Sequence, residues 1–201
     1  MHCPYCQQSV SEDSAQCAAC GLDLQRLDRV LGIPPVLSAG LTDLDGVLST
    51  ADTRRVGRAL LQFRRRFPQI QMALLIGKAP QAVPLRTWMW WLFNRSRFSL
   101  ALDKGFVNRD ILFALDTTRK QAGLTIGYGL EPFVGKRDLS DVLQAGGMAL
   151  DAGEWGGACQ EILIALDQGL RQTISRMPLT YGVPLPLLSC SEDWVETGPA
   201  W

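Results

Sequence analysis

The chain is predicted to fold as a mixed α/β layer domain preceded by a small metal-held ribbon. Three observations carry this expectation. Four cysteines stand in the first twenty residues as Cys3-Pro4-Tyr5-Cys6 and Cys17-Ala18-Ala19-Cys20. Two short apolar runs, 71–76 and 110–116, are each closed by turn residues and read as buried strands. The segments around them repeat their apolar residues at helical spacing.

Two C-x-x-C pairs separated by ten residues supply four thiolates to one tetrahedral Zn²⁺. Pro4 stiffens the first turn, and Gly21 tolerates positive φ just past the second pair. Residues 1–24 are too few to bury a core, so a metal has to hold them together. Two disulfides in a secreted module form the competing reading. Met1-His2 ahead of Cys3 leaves no room for a signal sequence and favours reduced thiols. His2 is a bystander, because four sulfurs already complete the site. Residues 25–40, with Gly32-Ile33-Pro34-Pro35, read as a linker.

The domain proper begins near Leu41. Ser49 with Asp52 three residues later marks a helix start of the capping-box kind. Val56, Leu60, Phe63 and Phe67 form one stripe, which leaves Arg54, Arg55, Arg58, Arg64, Arg65 and Arg66 mainly on the outer face. Pro68 ends this helix. The strand 71–76 is closed by Gly77, and Pro80 and Pro84 frame the loop before a helix over about 85–94. That helix is apolar nearly all round, and its tryptophans belong to the core. The strand 110–116 turns through 117–121 into a return strand at 123–127, forming a hairpin. Helices follow at about 139–150 and 157–172, the last with Cys159, Ile162, Leu163, Leu166 and Leu170 on one face. The first two strands should be parallel across a right-handed helical crossover, with the hairpin strand antiparallel. From Thr173 to Trp201 the chain reads as a Pro-rich irregular tail carrying Trp194 and Trp201.

Composition narrows the function. Twenty basic residues balance twenty acidic ones, so no global field draws the chain to nucleic acid or to an anionic membrane. No apolar run approaches the ~20 residues of a membrane span. Cys159 and Cys190 stand alone and read as small buried apolar residues. Reduced thiols and the absence of a signal point to a cytoplasmic, bacterial setting.

Five local patterns, in order, resemble the TPM domain family, named for thylakoid-lumen, photosystem II repair and ion-channel-modulator proteins. Thr42-Asp43-Leu44-Asp45-Gly46-Val47-Leu48-Ser49 is similar to its leading motif T-D-x-x-G-V-L-S. Leu92-Phe93-Asn94-Arg95 is similar to L-F-N-R of its crossover helix, and Asn108 stands where the family has the Asn of D-N-G. Ile126-Gly127-Tyr128-Gly129-Leu130-Glu131 matches V-G-Y-G-L-E, the most specific piece. Gly153-Glu154-Trp155-Gly156-Gly157-Ala158 resembles the G-x-[YF]-x-x-G/A start of the last helix. The matches cover about 41–172. The resemblance implies a three-layer α/β/α sandwich with a mixed sheet and the zinc ribbon as an accessory. It also implies varied activities, among them divalent-cation binding, phosphatase action, and assembly or quality control.

Asp43, Asn108, Asp110 and Glu131 are the oxygen-bearing residues expected to share one edge of the sheet, as a cleft or a site for Ca²⁺ or Mg²⁺. Val107 in place of the family Asp and Arg109 in place of its Gly weaken that site. Phosphoester hydrolysis needs a nucleophile or activated water together with charge stabilisation. Asp116-Thr117-Thr118 is not a D-x-D motif, and the one histidine lies in the ribbon. The organisation read from the sequence is thus a zinc ribbon (1–24), a linker (25–40), a TPM-like domain (41–172) and a tail (173–201). The function read from it is a binding or regulatory module, whose protein partner is met through the ribbon or the tail. A metal-dependent phosphatase is the first alternative and a nucleic-acid-binding accessory protein the second.

Overall fold

The computed structural model describes residues 2–11, 14–37, 39–96 and 109–181. Asn108, Cys190, Trp194 and Trp201 lie outside the described residues. The elements run α1 (Leu24–Leu31), β1 (Gly40–Asp43), α2 (Thr50–Arg66), β2 (Met72–Gly77), α3 (Leu85–Arg95), β3 (Ile111–Asp116), β4 (Gln121–Ile126), α4 (Lys136–Ala145), α5 (Gly147–Ala152) and α6 (Trp155–Tyr181).

One four-stranded sheet, ordered β1-β2-β3-β4, organises them. β1, β2 and β3 are parallel, and β4 returns antiparallel to β3. β2 and β3 are buried at every position, as continuous apolar strands covered on both faces should be. Alternate residues then serve different layers. Met72, Leu74, Ile76, Ile111, Phe113 and Leu115 face a core built with α2, α4, α5 and α6. Ala73, Leu75, Leu112 and Ala114 face the other way, against Trp88, Met89, Trp91 and Leu92 of α3 and Leu27 of α1. The architecture is α/β with helices on both sides.

The two crossovers differ in a way the sequence does not announce. β1-α2-β2 and β2-α3-β3 step the same way across the sheet, yet α2 and α3 lie on opposite faces. Parallel crossovers that step alike but use opposite faces have opposite hands, so one of the two departs from the common right-handed rule. The consequence is that α3 has its face of the sheet nearly to itself. The space beside it is taken by α1 and the cysteine ribbon.

β1 falls where the sequence reading placed no strand, and three boundaries also differ from that reading. The expected linker holds α1, which Asp23 caps by accepting from Arg26 N–H at 2.6 Å and Gly32 ends at φ 76. The expected helix 139–150 is two helices divided at Gly146, where a Cβ would come within 2.7 Å of Ile162 in α6, so glycine lets the two helices approach. α6 continues past Gln172 to Tyr181, so residues 173–181, expected to be irregular, are helical. The start of α2 is as expected: the Ser49 hydroxyl accepts from Asp52 N–H at 3.1 Å and donates to the Asp52 carboxylate at 2.5 Å. The six arginines of this helix are all exposed, on the face away from Val56, Leu60 and Phe63.

Candidate metal centre and adjoining groove

The two C-x-x-C segments fold as a matched pair. Gln7 N–H donates to the Cys3 carbonyl at 3.0 Å, and Gly21 N–H donates to the Cys17 carbonyl at 2.8 Å. Cys3 N–H reaches Gln8 O, and Cys17 N–H reaches Leu22 O, each at 2.9 Å. Both turns close on a left-handed residue, Gln7 at φ 65 and Gly21 at φ 69. Glycine adopts that conformation freely, whereas Gln7 does so at a small steric cost. Tyr5 N–H points at Cys3 Sγ at 3.4 Å, the knuckle bond that stabilises a thiolate.

These turns bring the four sulfurs within 4.8 Å of one another, the one such cluster of metal-ligating side chains among the described residues. Cys3 Sγ and Cys20 Sγ are 3.7 Å apart, and so are Cys6 Sγ and Cys17 Sγ. Four sulfurs at the ordinary zinc–thiolate distance define a tetrahedron with edges of about 3.8 Å. A disulfide would need about 2.05 Å. The donor set and its spacing therefore fit a tetrahedral thiolate-bound metal ion. The thiols are not equivalent as acids. The Cys20 backbone N–H turned onto its sulfur is the main cause holding Cys17 down at about 7, whereas burial, reinforced by the surrounding thiols, pushes Cys20 up to about 12.

The ribbon is fastened to the sheet domain through α3. Arg86 donates from Nε to the Pro4 carbonyl at 2.7 Å and from its terminal nitrogen to the Tyr5 carbonyl at 2.8 Å. The buried Thr87 hydroxyl donates to the same Pro4 carbonyl at 2.8 Å. One and two turns further along α3, Trp91 Nε1 and Arg95 Nε both donate to Asp28 Oδ1, and Arg95 completes a bidentate pair on Oδ2 at 2.7 Å. The Arg95 guanidinium and then the Trp91 N–H hold the Asp28 carboxyl below its ordinary range. Spacing along one helix thus fixes both the knuckle and α1. Asp23 and Gly32, as cap residues around Leu24–Leu31, were the signal for α1 in the sequence. Nothing in the sequence pointed to Arg86 and Thr87.

Beside the knuckle lies a groove of about 900 Å³, running from Tyr5 and Arg86 across β4 to Leu143 of α4. Gly123 sits on its floor because Met89 of α3 packs against it: a Cβ there would fall 2.3 Å from the Met89 sulfur.

The oxygen-bearing residues expected at one sheet edge are divided. Asp110 leads into β3, and its carbonyl accepts from Gly127 N–H at 2.9 Å, which brings the Gly127–Glu131 turn beside it. Asp43 ends β1, in register with Ile76 and, through it, Leu115. Five strand residues separate the level of Asp110 from that of Asp43, about 16 Å along the sheet. The reason is that Gly40–Asp43 is itself a parallel strand, and parallel strands present all their C-terminal ends at one edge. The Asp43 carboxylate is also occupied, accepting from Gly46 N–H at 2.9 Å and Leu48 N–H at 3.0 Å. It shapes the turn into α2. At that same edge Asp116, fully buried, accepts from the backbone N–H groups of Ala79, Thr118 and Arg119, with Arg119 Nη1 3.4 Å from its second oxygen. Asp45 accepts from Thr117. These carboxylates order loops and do not converge on a shared point.

The motif around Gly153 has a packing explanation. Gly153 ends α5 in the left-handed conformation, and Gly156 passes Asp52 so closely that a Cβ would come within 2.4 Å of the Asp52 side chain. Cys159 follows in the same core. Its thiol is pushed up to about 12 by burial, with the carboxylates of Asp43 and Asp52 adding to it. No helix among the described residues is long and apolar enough to cross a membrane.

No family model matches the chain, and no curated protein matches it. Solved bacterial structures do. The BA42 protein from the psychrophilic bacterium Bizionia argentinensis aligns with 65% of this chain and 86% of its own length, at 10% identity and a TM-score of 0.50. The N-terminal domain of the cg2496 protein from Corynebacterium glutamicum aligns with 68% of this chain and 83% of its own, at 18% identity and a TM-score of 0.48. An N-terminal domain from P. gingivalis aligns with 66% and 82%, at 21% identity and a TM-score of 0.48. At these identities the likeness concerns the fold.

Proposed function

We propose that this chain is a non-catalytic binding module: a TPM-like α/β domain that carries a four-cysteine zinc ribbon as a fixed part of its recognition surface. The observation that carries the reading is the fastening of the first knuckle onto α3 by Arg86 and Thr87, next to four sulfurs spaced for one metal ion. A zinc ion with four thiolates leaves a net double negative charge. Arg86 and the amino end of α3, both beside the knuckle, are placed to balance it. Zinc is the reading taken from the paired C-x-x-C spacing in a short ribbon, and a tetrahedral four-thiolate shell accepts iron as well. Such a site needs reduced thiols, in keeping with a cytoplasmic setting.

The hydrolase alternative gains no support from geometry. The carboxylates expected to hold a cation lie at opposite ends of the strands, and Asp43 and Asp116 are occupied by backbone N–H groups. The test uses the intact protein with an aryl phosphate and added Mg²⁺ or Ca²⁺. The expected result is no turnover above that of Asp110→Asn. Turnover that disappears in Asp110→Asn would replace the binding reading with a catalytic one.

A further inference from the structure

The groove beside the ribbon has a floor of unpaired backbone. Gly127 and Asp110 share a ladder bond, so the alternation of an antiparallel pair turns the polar groups of Gln121, Gly123 and Thr125 toward β3. The N–H and C=O groups of Ala122, Leu124 and Ile126 then point outward. β4 is an edge strand, and no strand among the described residues pairs with that outer side. Edge strands are usually protected by a charge, a proline or a bulge. β4, with the sequence Gln-Ala-Gly-Leu-Thr-Ile, has none of these among its residues. The groove straddles this edge, with Tyr5, Arg86 and Met89 on one side and Leu143 on the other. Its lining holds two guanidiniums, Arg86 and Arg119, and no carboxylate. Arg119 faces Asp116, which leaves Arg86 and the amino end of α3 as the stronger positive features.

We infer that β4 accepts a fifth strand, and that the strand is the chain's own segment Ser191-Glu192-Asp193-Trp194-Val195-Glu196. Three features select it. Residues 182–201 contain three acidic residues and no lysine or arginine, the complement of the groove. The period of two along a strand puts Glu192, Trp194 and Glu196 on one face, where they meet Arg86, Arg119 and the Tyr5 ring. The reach is sufficient. α6 starts beside Asp52 at the beginning of α2 and passes Arg66 at its end, where Arg66 pairs with Asp167 at 2.5 Å. It therefore carries the chain about 21 Å past Asp167 to Tyr181, and Leu124 lies about 10 Å up the sheet from that edge. The thirteen residues from Tyr181 to Trp194 extend up to about 43 Å, which covers the distance along the sheet together with the roughly 10 Å between the helix layer and the sheet. Main-chain pairing provides affinity and the alternate side chains provide register. This inference depends on the metal-bound ribbon for the position of the Tyr5 wall and for the share of the Arg86 charge that the thiolates leave to the strand.

The test is residue-resolved amide exchange on the full-length protein. The outward amides of Ala122, Leu124 and Ile126 should be protected, and Trp194→Pro with Val195→Pro should speed their exchange at least about tenfold. Gly123 and Thr125, bonded to β3, should keep their protection and so report that the domain is still folded. Replacing Glu192, Asp193 and Glu196 together by their amides should give a smaller loss in the same three amides. Outward amides that exchange freely in the wild type, or keep full protection in the proline variant, would overturn the inference. Protection that rises with protein concentration would assign the added strand to a second copy and overturn the intramolecular form. Zinc content measured on the same sample separates the two claims: metal-free protein with protected outward amides would defeat the zinc reading alone.

Discussion

The hydroxyl of Thr87 donates to the carbonyl oxygen of Pro4 at 2.8 Å, across 83 positions of sequence. That bond joins the first turn of α3 to the middle of the first cysteine knuckle. With Arg86 beside it, the sheet domain holds the backbone that aims Cys3 and Cys6 toward the other two sulfurs.

Loosening this junction should therefore be felt at the metal. Thr87→Val and Arg86→Met each remove hydrogen bonds from the Pro4 and Tyr5 carbonyls without touching a sulfur. Partners of this kind commonly change metal affinity by about 10–100-fold. Competition with a chromogenic chelator should show faster zinc release from each variant, and the double variant should exceed either. Release rates equal to wild type would mean the ribbon holds its metal independently of α3.

The Asp28 clamp makes a prediction about pH. Its folded-state pKa is lowered by Arg95 and Trp91, so the carboxylate contributes stability above the unfolded value. That contribution is lost as pH falls through the lower folded value. Asp28→Asn should thus lower the urea midpoint at pH 7, and the gap to wild type should begin to close below about pH 5. A gap that widens toward acid would contradict the assignment.

Much of the sheet could be read from the sequence because β2 and β3 are uninterrupted apolar runs closed by Gly77 and Asp116-Thr117. The cysteine spacing was equally plain. β1 was harder, since Gly40–Asp43 is short, half-buried and without alternation, and missing it placed Asp43 at the wrong edge. The fastening of the ribbon was not legible at all. It depends on which face α3 takes, and that follows from the opposite hands of the two crossovers. No local pattern encodes such a choice.

Two glycines on adjacent helices should respond oppositely to the same substitution. At Gly156 an added methyl meets the Asp52 side chain, including its Cβ at 2.7 Å, so Gly156→Ala should cost about 1–3 kcal/mol. At Gly57 in α2 nothing lies within 4 Å, so Gly57→Ala should stabilise by about 0.5–1 kcal/mol through helix propensity. Denaturant midpoints check both. Equal effects would mean that the α2–α6 approach is less close than described.

Cys159 is buried with its thiol pushed up to about 12, so little thiolate exists at neutral pH. Site-resolved alkylation at pH 8 should leave it unmodified in the native protein and label it fully in denaturant. Rapid labelling of native protein would place Cys159 at an accessible surface.

Cys3, Cys6, Cys17 and Cys20 are proposed to hold one zinc ion. Elemental analysis of the purified full-length protein, with the same analysis on Cys6→Ser, tests it most directly. The wild type should carry about one zinc per chain, with four thiols shielded from alkylation until a chelator is added, and the variant should carry much less. Wild-type protein with no bound metal and an ordered N-terminal segment, or with these cysteines paired as disulfides, would contradict it.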